Sequence, residues 1–404
     1  MSWLTNWKYR VKIHISDSST AESDFQILLK IGESAGASNY HFHLSGYSSN
    51  FPSDKGQGGD LRFTASDGQT HLPFWVEKVS GTTPNRTAKI WVRVSENLTQ
   101  PRDIYCYFGN SSASNASSIE DTFLVGDDFA NEDTRWLDTG VSGSKSWVTL
   151  DGNDCIKLDG PSSSGNKYVV VNAQYVALGN GLVVESKIKF TSEGDISLGL
   201  AIATKLATQW YEDYYGINSF GYGNTKVCAV TDGSYQCTDY VGSTKWYIEK
   251  AIVTSSEVKA YLYDYENGNL EASVTKSCSP PSILFPKMGT YNIGYFDYII
   301  VRKYADPEPG FQSAEPIESF SKLTGTACDK YGNTITGQSV KVFILDKENG
   351  IKIGQTTSDS NGNWSCDVWT SSNTKVITVL TLEDEYLGDT DIAGAEFNTT
   401  QEVS

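Results

Sequence analysis

The sequence predicts an all-β protein built as tandem β-sandwich domains of jelly-roll and immunoglobulin-like kinds. Three observations carry that expectation. The palette is strand-forming, with 23 Tyr, 16 Phe and 10 Trp against only 2 Met among 404 residues; aromatic side chains suit the pleated, half-buried surface of a sheet. Short alternating or apolar runs recur between Gly, Asn, Asp and Ser turns. No long stretch carries the 3.6-residue apolar period of an amphipathic helix. At roughly 100–200 residues per domain the length fits two to four domains.

Residues 1–124 hold strand signals at Lys8–Ile15, Phe25–Ile31, Asp60–Thr64, Leu72–Val79, Lys89–Val94 and Asp103–Phe108. Turn-rich pieces such as Asp54–Gly59 and Asp67-Gly68 separate them. Residues 125–305 show Tyr168–Val171, Leu182–Phe190, Ile196–Ala203, Trp246–Val253, Val258–Tyr265 and Tyr298–Arg302, the spacing of a two-sheet sandwich. A Pro-rich stretch, 306–321, reads as an extended linker. Residues 322–404 read as a small antiparallel sandwich with a turn at Asn361-Gly362-Asn363.

The formal net charge of −17 excludes a nucleic-acid partner, which needs clustered Lys and Arg, and disfavours anionic membranes. No run of about 18 apolar residues exists to insert into a membrane. Met1–Trp7 leads straight into the alternating Lys8–Ile15 rather than through the basic start and apolar core of a signal peptide. The expectation is either a leader replaced upstream or a protein that never takes the secretory route. None of the seven cysteines forms a C-x-x-C pair, so zinc is not expected. Cys228 and Cys237 flank a Gly-Ser turn and are the candidate disulfide across a hairpin; Cys328 and Cys366 form a second candidate pair. The alternative is ordinary half-buried thiols in a reducing compartment.

Six blocks in order resemble the domain of unknown function 2341: Trp7–Arg10, Gly59–Thr64, Asp67-Gly68, Phe74–Glu77, Ala88–Val94 and Ile104–Asn110. They span most of residues 1–124. The family's more usual Tyr-Tyr-Gly-Asn ending has Phe108 as its second aromatic here. The resemblance implies a surface protein of an archaeon, bacterium or phage, and no particular chemistry. Asp127-Asp128-Phe129 and Phe296–Tyr304 make the second segment similar to a concanavalin A-like, laminin-G-like jelly roll. That implies glycan binding, glycan cleavage or spacing. Gly325–Asp329 and Thr357–Trp364 resemble a carboxypeptidase-regulatory-like immunoglobulin-type module, implying a rigid spacer.

Candidate chemistry is sparse. Gly32-Glu33-Ser34-Ala35-Gly36 matches G-x-S-x-G, but no helix follows to make a nucleophile elbow. His41 and His43 share a strand face and, with His14 or His71, would suit a metal; surface or stacked histidines are the plainer reading. The Glu-x-Asp-x-Glu of jelly-roll glucanases is absent, and Glu212 and Asp213 would point to opposite faces of a strand, so no catalytic residue is expected. Asp359, Asn361 and Asn363 mimic a calcium loop, but Trp364 takes the place of its glycine, and a hairpin turn is expected. Asp127, Asp128 and Asp297 are the candidate Ca²⁺ ligands, if first and last jelly-roll strands are neighbours; no other cofactor is called for. Trp210, Tyr211, Tyr214, Tyr215 and Tyr222 are the candidate glycan-binding platform, because sugar rings stack on aromatic faces. The competing expectation is that they fill the sandwich.

These features point to a non-enzymatic, surface-exposed structural or attachment protein. The first expectation is a virion component, a tail or capsid-surface protein of a phage or archaeal virus, assembled with other virion proteins or copies of itself and touching host glycans. The second is an exported archaeal or bacterial cell-surface adhesin or extracellular filament protein. A glycan-cleaving jelly-roll enzyme is third.

Overall fold

A computed structural model describes residues 4–138, 143–160, 168–190, 195–201, 214–220, 226–232, 234–240, 244–327, 333–337, 340–346, 352–371 and 376–382. Those residues are almost wholly strands and turns, as the composition predicts; the single α-helix among them is Ile119–Thr122. No helix among them is long and apolar enough to cross a membrane.

In the first sandwich, Tyr9–Ile15, Arg102–Phe108, Arg62–Thr64 and His71–Leu72 lie in one sheet. The sheet of Phe42–His43, Phe25–Gly32, Thr87–Val94 and Phe74–Ser80 faces it. Alternation decides what each strand buries. Phe25, Ile27, Leu29 and Ile31 enter the core with Ala88, Ile90, Val92 and Val94, which leaves Leu28, Lys89 and Trp91 on the outer face of that sheet.

The second sandwich packs two larger sheets. One runs Trp136–Asp138, Tyr168–Asn172, Ile283–Tyr291, Asp195–Ala201, Tyr214–Phe220, Lys226–Thr231 and Ser234–Asp239. The other runs Ser144–Leu150, Asn153–Asp159, Ile293–Lys303, Leu182–Phe190, Trp246–Val253, Glu257–Asp264 and Leu270–Ser277, with Val125–Asp127 paired to Ile293–Lys303. Leu182, Val184, Ile188, Ile196, Leu198 and Ile217 are among the residues that fill the space between them.

The outer faces of the two sandwiches are pressed together. Trp75, Trp91, Ile119 and Phe123 of the first meet Tyr298 and Ile300 of the second in a small apolar core. Trp75 sits edge-to-face on Tyr298 at 5.2 Å between ring centroids and on Phe123 at 5.8 Å. Such contacts add about 0.5–1.5 kcal/mol each beyond area burial.

Residues 306–321 are not the free linker that their prolines suggest. Phe311–Ala314 pairs antiparallel with Tyr9–Ile15, and Glu318–Thr326 begins beside Tyr9 and Arg10. The chain therefore returns to the first sandwich and completes its sheet. Glu315 lies 3.1 Å from Lys12 and 3.3 Å from His14, and Glu318 is ion-paired with Arg10. The prolines fall outside the paired residues, where no ladder N–H is needed. Glu318–Thr326 then pairs along its length with Asn363–Ser371, opposite a sheet of Lys352–Thr357, Val340–Asp346 and Val376–Leu382. In the turn at Asn361-Gly362-Asn363, Gly362 has φ +79° and the Asp359 carboxylate accepts from the amides of Asn361 and Asn363, both at 2.9 Å. The calcium-loop mimic is thus a hairpin turn.

Candidate binding cleft between the first and second sandwiches

Two β-bulges place acids in the seam. In Phe74–Ser80 the register slips between Val76 and Lys78, so Glu77 has no partner across the ladder. In Ile293–Lys303 it slips opposite Lys187 and Ile188, and Asp297 is the extra residue. A bulge re-aims a side chain that alternation alone would place elsewhere. Both acids end almost fully buried, Glu77 at 3% and Asp297 at 1% exposure.

Neither is left unpaired, which a buried charge cannot afford. Glu77 accepts from Lys89 Nζ at 2.6 Å and from Trp91 Nε1 at 2.7 Å. Burial works against the Lys89 ammonium, but Glu77 and Glu185 outweigh it and raise its pKa above the ordinary lysine value. Asp297 sits between Lys187, at 2.6 Å, and Lys55. Lys187 also donates to Asn153 Oδ1 at 2.9 Å and lies 4.1 Å above the Tyr265 ring. Arg302 makes a two-pronged contact with Glu308, at 2.9 and 3.2 Å, and lies 4.8 Å over the ring of Trp91.

Beside this network, between the outer faces of the two sandwiches, opens a cleft of about 700 Å³. Trp91, Arg302, Glu185 and Lys250 line it with the half-buried Tyr263 and Tyr265. Tyr263 stacks on Tyr261 at 6.1 Å and 19°, forming a shelf of parallel rings. Tyr298, fully buried, donates to Glu185 Oε1 at 3.3 Å, and its burial holds the phenol protonated far above the usual range. Flat aromatic faces beside fixed charged donors and acceptors suit a polyhydroxylated ligand, whose ring C–H faces stack while its hydroxyls hydrogen-bond.

The residues singled out in the sequence fall elsewhere. Trp210, Tyr211 and Tyr222 lie outside the described residues. Tyr214 and Tyr215 are buried rather than exposed, at 0% and 5%. Adjacent strand residues point to opposite faces, so Tyr215 enters the sandwich core while Tyr214 packs against Cys228 and Val230. Those two rings offer no platform. Cys228 and Cys237 stand opposite in register and are joined by a disulfide. Cys366 is a free thiol, and its candidate partner Cys328 lies outside the described residues.

Asp127, Asp128 and Asp297 do not converge on one cation. The strands are neighbours as expected, with Asp127 opposite Ile299, but the carboxylates are otherwise engaged. Lysines hold Asp297, while Asp127 accepts from Phe129 N and Trp136 Nε1, both at 2.8 Å. Desolvation, with Asp133 adding to it, pushes the Asp127 carboxyl up to about 7 against those hydrogen bonds. Asp127 and Asp128 line a second, acidic cleft of about 780 Å³ at the other end of the seam. Among the described residues no three His, Cys, Asp or Glu side chains are grouped to hold a metal. His41 is stacked on Phe311 at 4.6 Å and His43 packs edge-on to Tyr40.

The family profile described as a domain of unknown function (DUF2341) matches residues 57–148. That is less than a quarter of the chain. The match starts later than the sequence blocks suggested and runs on into the second sandwich. The matched range contains Trp75, Glu77, Lys89 and Trp91. No curated protein matches. Solved structures that align include a glycosyl hydrolase family protein from Mycobacterium fortuitum, at 13% identity over 44% of this chain and 99% of its own, TM-score 0.30. A Bacillus licheniformis beta-glucanase aligns at 14% identity over 44% and 97%, TM-score 0.32. The VIP36 exoplasmic/lumenal domain in its Ca²⁺/Man2-bound form aligns at 8% identity over 44% and 86%, TM-score 0.33.

The seam residues that sequence reading passed over were in plain view. Trp75, Glu77, Lys89 and Trp91 belong to blocks that carried the resemblance, and Asp297, Tyr298 and Arg302 belong to the Phe296–Tyr304 block. The signal was an aromatic and a charge on the polar side of otherwise apolar strands; the site is where those two polar sides meet.

Proposed function

We propose that this chain is a surface-exposed attachment protein of the exported kind, without enzymatic activity, that holds a glycan in the cleft between its first two sandwiches. The observation that carries this reading is the cleft of about 700 Å³ itself, with the half-buried Tyr263 and Tyr265 set beside buried, already paired charges. Groups fixed in advance lose little freedom when a ligand arrives. Glu77 and Asp297 are each committed to cations, which supports a holding role over proton transfer. The Cys228–Cys237 disulfide favours export over assembly in a reducing cytoplasm.

The test is retention of the full chain on an array of cell-surface glycans, for the wild type and Tyr263→Ala. Retention of a defined glycan set, weakened severalfold by the substitution, is expected. Retention indifferent to Tyr263→Ala would move the site elsewhere, and a blank array would remove the glycan reading. Reducing-sugar release from a retained polysaccharide would overturn the non-enzymatic part.

A further inference from the structure

Among the described residues, the charges that line the cleft are committed, with one exception. Glu77 holds Lys89, Glu308 holds Arg302, and Glu266 lies 3.9 Å from Lys78. Lys30 reaches Asn39 Oδ1 at 3.4 Å, and Glu185 takes the Tyr298 hydroxyl. Lys250 stands opposite Glu185 in the register of paired strands, yet makes no hydrogen bond or ion pair with any of the described residues. It is half-buried, and it lines the cleft.

That is a costly place for an ammonium. Burial pushes its pKa below the ordinary lysine value, with Arg302 and Lys89 pushing the same way against Glu185 and Glu308. A half-buried cation that lines a cleft, with no protein acceptor of its own among the described residues, gains most from an anion that supplies acceptors without adding bulk. The carboxylates already present are held by Lys89, Arg302 and Tyr298.

We propose that Lys250 anchors an anionic group on the glycan, so that the cleft prefers sugars carrying a carboxylate, uronic acids first, over their neutral counterparts. This rests on the glycan reading of the same cleft. The −17 net charge of the chain does not prevent it. At physiological ionic strength the Debye length is about 8 Å, so an acid seated in the cleft feels chiefly Lys250, Lys89 and Arg302 and the acids paired with them. A sulfated sugar shares the chemistry and would be held the same way; a phosphorylated protein or an anionic membrane lacks the ring faces that Tyr263 and Tyr265 would stack on.

The experiment is calorimetric titration of the full chain with tri-galacturonate and with its methyl ester, which keeps the same sugar rings but carries no charge. The wild type is expected to bind the acid about tenfold tighter or more, the size of a charge-assisted hydrogen bond in a partly dry site. Lys250→Gln should bring the acid down to the ester's affinity, and Lys250→Arg should keep the preference. Each variant's melting transition checks that it is folded. Equal binding of acid and ester by the wild type, or a preference that survives Lys250→Gln, overturns the proposal while leaving the glycan reading standing on the ester. Binding of neither overturns the proposal, and a blank glycan array beside it removes the glycan reading as well.

Discussion

Asp297→Asn removes one charge and almost no volume from the deepest point of the seam. In the native chain two ammoniums share that carboxylate: Lys187, at 3% exposure, and Lys55, at 19%. Removing one member of a buried pair costs roughly 3–5 kcal/mol, because the remaining charge is left without compensation. Lys55 sits nearer water and can turn outwards, so the cost falls mainly on Lys187. That side chain keeps Asn153 Oδ1 at 2.9 Å and the faces of Tyr265 and Trp246 at 4.1 and 4.6 Å, and the new amide still offers one acceptor. The expected loss therefore lies at the lower end, about 3 kcal/mol. At about 2–4 °C per kcal/mol for a sandwich of this size, the transition should fall by about 6–12 °C. Differential scanning calorimetry reads that shift, and tryptophan fluorescence in urea checks it through Trp75, Trp91 and Trp246 around the seam. Replacing the pair by apolar residues, Lys187→Met with Asp297→Leu, should recover most of the loss, since packed hydrophobes replace buried ions without penalty. A loss under about 1 kcal/mol for Asp297→Asn would refute the reasoning, because a solvated surface pair behaves that way.

Other outcomes follow from the same geometry. Asp127 keeps its proton up to about pH 7 when folded and releases it near the ordinary carboxylate value when unfolded. A raised carboxyl pKa means the folded state binds more protons between those values. Its contribution, up to roughly 4 kcal/mol, is therefore present below about pH 4 and lost as pH rises to 7. The urea-midpoint advantage of wild type over Asp127→Asn should shrink across that range; a difference independent of pH would contradict the burial. Cys228→Ser with Cys237→Ser should cost about 2–3 kcal/mol for a loop this short, and alkylation of the native chain without reductant should leave those two cysteines unmodified in its mass spectrum. Because 311–314 and 318 onwards are paired in a sheet, a glutamate-specific protease should spare Glu315 and Glu318 in the native chain; cleavage there as fast as in a free peptide would restore the linker.

Much of the fold was legible because strand alternation and turn chemistry are local. Ile13 and Ile15 or Ile90 and Val92 could be assigned to a core from spacing alone, and the Gly362 turn and the Cys228–Cys237 pairing follow from a few residues of hairpin. The site was not legible, for two reasons. Glu77 and Asp297 reach the seam through bulges, which break the period-2 rule that would otherwise place them. Trp91 and Arg302 meet only because two outer sheet faces pack together, and nothing near either residue encodes its partner. Tyr214 and Tyr215 proved buried; density of rings says nothing about which face they occupy. The prolines of 306–321 misled in the same way: they mark extended backbone, and extended backbone is also what an added sheet strand requires.

The most direct measurement is amide hydrogen exchange on the full chain with and without a glycan retained on the array. Binding in the seam predicts slowed exchange in Glu257–Asp264 and around Glu308–Phe311, with Lys226–Thr231 and Ser234–Asp239 on the far sheet unaffected. Protection confined to that far sheet, beside Tyr214–Phe220, would contradict a ligand in the seam and return the site to the aromatic stretch.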